Sequence, residues 1–99
     1  MRLTSEQVRV IRAKVHAAFG ASTRVYLFGS RLDDAARGGD VDLYVEVFHL
    51  VQNRAAAASR LTAELQLALG DQRIDVLVSD PNTPRQPIHE AARAKGIEL

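Results

Sequence analysis

Between Asp40 and Val78 the sequence changes period twice, and that change limits the folds open to the chain. Residues 40–47 alternate. Val41, Leu43, Val45 and Val47 point one way, and Asp40, Asp42, Tyr44 and Glu46 point the other, as in a strand with one buried and one wet face. Residues 50–69 then carry a stripe of Ala58, Leu61, Leu65 and Ala68 at helical spacing, stopped by Gly70. The Ala55–Ala58 run favours helix by propensity. Arg73 to Val78 returns to a short β-branched run, which reads as a strand. Strand, helix and strand in this order form a right-handed βαβ unit whose two strands are parallel.

The flanks complete a single domain. Thr4 and Gln7 form a capping box, after which Val8, Ile11, Val15, Ala18 and Phe19 recur at helical spacing up to Gly20. Residues 24–28 (Arg-Val-Tyr-Leu-Phe) read as a strand, and Arg31 to Ala36 as a short helix before Gly38-Gly39. Asp80-Pro81-Asn82-Thr83-Pro84 is a loop of turn residues. Pro87 opens a last helix that Gly96 ends, with Arg93 and Lys95 in its final turn, and Ile97 to Leu99 adds a little extended chain. The expected order is α-β-α-β-α-β-α. The first two strands, joined by a short link, pair antiparallel. Residues 1–99 thus form one α/β (α+β) domain with a small mixed three-stranded sheet packed by helices.

Composition narrows the function classes. A formal net charge of +1 gives no bulk electrostatic case for nucleic-acid or membrane binding. The chain has no cysteine, which excludes disulfides and thiolate metal sites. No apolar run approaches the roughly 18 residues of a membrane span, and Met1-Arg2-Leu3-Thr4-Ser5-Glu6 lacks the apolar core of a signal peptide. The expectation is a cytoplasmic protein without direct nucleic-acid contacts.

The chemistry concentrates in Phe28-Gly29-Ser30, then nine residues, then Asp40-Val41-Asp42-Leu43. A Gly-Ser turn allows close backbone approach to a phosphate and offers a hydroxyl. Asp40 and Asp42, two apart on a strand, share a face. Two carboxylates side by side repel unless a cation lies between them, and Mg²⁺ with a phosphate to share suits oxygen-only ligands. Asp75 stands inside the 73–78 strand, where Asp is disfavoured. If the two strands are neighbours, Asp75 reaches the Asp40/Asp42 face. Three carboxylates beside a phosphate-binding turn are the equipment of two-metal phosphoryl or nucleotidyl transfer. Asp75 would ligate the second ion and assist in taking the proton.

Gly29-Ser30-x9-Asp40-x-Asp42 with a strand-borne Asp75 resembles the nucleotidyltransferases of the DNA polymerase beta superfamily, and the compact size resembles its minimal nucleotidyltransferases (MNT). The likeness covers nearly the whole chain. It implies that Gly29 and Ser30 hold the triphosphate of ATP, with Arg31 contacting the phosphates. It implies that Asp40, Asp42 and Asp75 bind two Mg²⁺ ions. Gly39 departs from the pattern, since many relatives carry Ser there; a hydroxyl contact is lost but no metal ligand. Minimal members are often paired with a HEPN-domain ribonuclease as antitoxin and toxin. The resemblance implies transfer of AMP from ATP to a tyrosine of that partner, which silences it. Ninety-nine residues leave no room for an acceptor-binding domain, so another molecule must present the acceptor.

Blander roles compete at each position. An isolated Asp-x-Asp is commonly a solvated edge pattern, Asp75 could be an exposed edge-strand residue, and Ser30 could simply cap the 31–36 helix. Arg31 could be a surface charge, and Asp33 and Asp34 read as loop solubility residues. His16, His49 and His89 share no metal-ligand spacing and read as surface residues. Tyr26 and Tyr44 read as packing residues, though Tyr44 shares the aspartate face and could flank a nucleotide. Arg85, Arg93 and Lys95 read as a solvated face. Two other functions stay open: a non-catalytic antitoxin that masks its partner, and a nucleotidyltransferase acting on a small molecule such as an aminoglycoside.

Overall fold

The computed structural model describes residues 3–28, 41–70, 72–84 and 86–99. Helix α1 runs over Ser5–Phe19. It starts where the capping box predicts: the Thr4 hydroxyl accepts from the Gln7 N–H at 3.0 Å, and the Gln7 side chain accepts from the Thr4 N–H at 2.9 Å. Gly20, at φ +101°, ends it and donates to the His16 carbonyl, a backbone turn that favours glycine. Strands β1 (Arg24–Phe28) and β2 (Val41–Glu46) follow, then helix α2 (Arg54–Leu69), strand β3 (Ile74–Ser79), helix α3 (Pro87–Lys95) and strand β4 (Ile97–Glu98).

The sheet order is β3-β2-β1-β4. β1 pairs antiparallel with β2, and β2 pairs parallel with β3 through the α2 crossover. Among the described residues the sheet therefore has four strands, not the three expected. Ile97 and Glu98 pair antiparallel with Leu27 and Tyr26, and Leu99 donates its N–H to the Val25 carbonyl. Two residues after a helix-ending glycine carry no period, so the fourth strand is a product of tertiary pairing. The expected helix at 31–36 lies outside the described residues. The long helix starts at Arg54, not at residue 50, because the Asn53 side chain accepts the Ala56 N–H at 3.0 Å and caps it there.

Alternation along β2 sorts two cores. Val41, Leu43, Val45 and Val47 join Ile11, Val15, Phe19, Leu61 and Leu65 under α1 and α2. Both helical stripes advance in steps of four, so Phe19 and Leu69 face the core while Ala18 and Ala68 are exposed. Truncating Leu61 or Leu65, both fully buried, to alanine costs about 2–5 kcal/mol. The opposite sheet face carries a smaller cluster of Tyr26, Tyr44 and Ala92, with Phe28 and Leu77 against it. α3 covers the middle of that face.

Candidate functional site

Three rungs of side chains cross the α3 face. The first is Phe28, Asp42 and Asp75; the second Tyr26, Tyr44 and Leu77; the third Arg24, Glu46 and Ser79. On the first rung Asp75 is the direct register partner of Asp42, on parallel strands about 4.8 Å apart. Two of the three expected carboxylates are thereby neighbours on one face. On the other side of Asp42 stands Phe28, the residue from which the chain enters Gly29-Ser30. Gly29, Ser30, Arg31 and Asp40 lie outside the described residues. Among the described residues no group of three or more metal-ligating side chains is gathered.

The two aspartates differ in setting. Asp42 is half-buried on the central strand β2, whereas the Asp75 side chain is 56% exposed on the edge strand β3. An edge position lets the charge reach water and explains why a strand tolerates it. Like charges directly opposite one another destabilise a sheet. Arg73, whose Nε lies 3.7 Å from Asp75 Oδ2, offsets part of that repulsion. The oxygen-only donor set is suited to a hard divalent cation.

On the second rung, Tyr44 is buried between Tyr26 and His89, with ring centroids 5.8 and 5.7 Å away. Its hydroxyl lies 2.8 Å from Ser79 Oγ. Tyr44 is therefore packed under α3, and it lines a recess of about 290 Å³ together with Glu46, Ser79 and His89. His89 also corrects the sequence reading, since it is 5% exposed. Its Nδ1 accepts the Gln86 N–H at 3.1 Å, so the ring replaces the carboxamide of a capping box and turns inward. The cue was Pro87 at the first helical position with a hydrogen-bonding side chain at the third. Arg93 leaves the expected basic face and pairs with Glu46 at 3.6 Å.

Asp80 is a buried charge that the sequence reading missed. Its carboxylate accepts from the Val51 N–H (2.8 Å), Arg54 Nη1 (2.9 Å), the Asn82 N–H (3.0 Å) and Thr83 Oγ1 (3.0 Å). The Val51 N–H foremost, with help from Thr83, Arg54 and Asn82, outweighs burial and holds its pKa down at about 2. Asp80 thus ties the end of β3 to the link before α2. Asp-Pro-Asn-Thr is a local pattern in which an Asp side chain bonds the N–H two residues on, and that signal was readable.

His49 likewise clasps two segments. Its Nε2 lies 2.9 Å from the Phe19 carbonyl and its Nδ1 3.3 Å from that of Leu50. Two carbonyls facing the two ring nitrogens, Phe19 foremost, favour the doubly protonated ring and raise its pKa above 6.5. No helix among the described residues is long and apolar enough to cross a membrane. No protein-family model and no curated protein matches this chain.

Proposed function

We propose that this chain is a Mg²⁺-dependent nucleotidyltransferase of the MNT type that moves AMP from ATP onto a hydroxyl. The acceptor is a tyrosine of a HEPN ribonuclease, so the chain acts as an antitoxin in the cytoplasm. The single observation that carries this reading is the register that makes Asp75 the neighbour of Asp42, at the sheet end where β1 leads into Gly29-Ser30. The three-layer arrangement around a mixed sheet is consistent with a nucleotidyltransferase fold.

In this reading Gly29 and Ser30 cradle the triphosphate and Arg31 offsets its charge. Asp40, Asp42 and Asp75 would hold Mg²⁺, which supplies charge neutralisation and a lowered hydroxyl pKa. The acceptor oxygen bonds to the α-phosphorus, the bond to the bridging oxygen breaks, and pyrophosphate leaves. The hydroxyl proton passes to solvent with Asp75 assisting. Tyr44, buried and stacked, supports the floor beneath this end of the face.

Co-expression with the partner toxin tests the reading. Wild type restores growth, and Asp42→Asn, a near-isosteric change, fails to do so while remaining folded and bound to the toxin. An Asp42→Asn protein that still neutralises the toxin would mean that masking, not transfer, is the function.

A further inference from the structure

The recess beside Tyr44 has Val47 and Phe48 in its wall, and these residues open the link from β2 to α2. Hydrogen bonds fix both ends of the link on the β3 side. Val47 donates its N–H to the Ser79 carbonyl at 2.9 Å, and Val51 donates its N–H to Asp80 Oδ2 at 2.8 Å. Between these anchors Phe48 and Leu50 are 53% and 64% exposed. The middle of the link is carried across to the end of α1 by His49, which reaches the Phe19 carbonyl. This contact lies outside the nucleotidyltransferase reading and does not depend on it.

Both ring nitrogens of His49 face carbonyl oxygens, which can only accept. Each contact is therefore a hydrogen bond only if that nitrogen carries a proton. The imidazolium has two such protons and makes both bonds. The neutral ring has one, so its other nitrogen points a lone pair at a carbonyl oxygen. The α1 partner sharpens the preference. Phe19 is the last residue of the helix, where carbonyls without intrahelical partners gather negative partial charge. Thr23 Oγ1 also donates to the Phe19 carbonyl, at 3.1 Å, so the helix end keeps a partner when His49 lets go.

Among the described residues, the charged or titratable groups on the surrounding elements are Asp80 after β3, Arg54 on α2, Arg24 on β1 and His16 in the last turn of α1. Asp80 bears on the ring and favours its charge. With its own pKa at about 2, Asp80 stays ionised throughout the range in which an imidazole titrates. Arg54 is bound to Asp80 at 2.9 Å, and Arg24 lies over the Phe48 ring, 5.9 Å from its centroid. We infer that His49 is a proton-operated clasp: its imidazolium pins the link to the end of α1, and the neutral ring releases Phe48, His49 and Leu50 while the Val47 and Val51 anchors hold. Loss of one proton thus loosens one wall of the recess and two exposed apolar side chains, with the rest of the domain folded.

Backbone relaxation NMR of the full chain, as a series from about pH 5.5 to about pH 9 spanning imidazole titration, tests this. Carbon-13 probes at Cα keep the signal where amide exchange is fast. Order parameters at Phe48, His49 and Leu50 should match rigid backbone, about 0.85, at the acid end and fall below about 0.6 at the basic end. The midpoint should coincide with titration of the His49 ring followed on its own resonances, and Val47 and Val51 should stay rigid. In His49→Gln, which cannot titrate, order parameters at positions 48–50 should not change with pH, although His16 still titrates. The wild-type series needs no variant, so misfolding cannot obscure the answer. Order parameters that stay flat through the His49 titration would overturn the inference. So would a midpoint that follows His16, a pH step that persists in His49→Gln, or loosening of Val47 and Val51 together with the link.

Discussion

Replacing Asp75 by asparagine separates a metal site from a decorative edge charge. In water-like surroundings, two unit charges about 5 Å apart, as on neighbouring strands, repel by about 0.8 kcal/mol. Asp75 also gains from Arg73 at 3.7 Å, worth about 1 kcal/mol in the same medium before salt screening. Asp75→Asn removes both, so without divalent ions its stability should stay within about 0.5 kcal/mol of wild type. Mg²⁺ breaks the tie. At tenfold over its Kd a cation bound only to the folded state adds about 1.4 kcal/mol, or about 6–11 °C in Tm for a chain this size. Losing one carboxylate ligand, and with it about tenfold in affinity, leaves about 0.4 kcal/mol. Thermal melts across a MgCl₂ series at constant ionic strength read this directly. A Mg²⁺ shift as large in Asp75→Asn as in wild type would refute the placing of Asp75 in the site.

Gly96→Ala should destabilise although Gly96 sits at an ordinary φ of −73°. A Cβ there would overlap the Ala92 carbonyl oxygen and lie 3.0 Å from that of Leu27, so urea unfolding should show a loss of about 1–3 kcal/mol. The Asp80 pKa, held below its usual 3.8 at about 2, contributes stability that is present above pH 3.8 and lost as pH falls toward 2. Asp80→Asn should flatten that acid limb in a pH series of melts. The raised His49 pKa works in the opposite sense. Its contribution is full below about pH 6.5 and fades as pH rises through the folded pKa, so His49→Gln should remove that slope.

Much of this fold was legible because local signals and tertiary structure agree. The Thr4–Gln7 box, the Val41-to-Val47 alternation and Pro87 each specify an element that packing then keeps. The parallel pairing of β2 and β3 followed from the helix between them, and with it the meeting of Asp42 and Asp75. What escaped depends on partners distant in sequence. Ile97 and Glu98 become a strand only because β1 offers an edge 70 residues earlier (Leu27 to Ile97). His89 is buried because Tyr44 lies beneath it. Asp80 is held by Val51 and Arg54 across the sheet end. None of these leaves a periodic trace.

The most direct test of transfer chemistry is incubation of the purified chain with α-labelled ATP, Mg²⁺ and its native lysate, wild type beside Asp42→Asn. Covalent AMP transfer predicts a labelled protein band of the toxin's mass with wild type and none with the variant. A band of equal intensity with Asp42→Asn, or no labelled product under conditions where wild type binds Mg·ATP, would contradict protein AMPylation by this site.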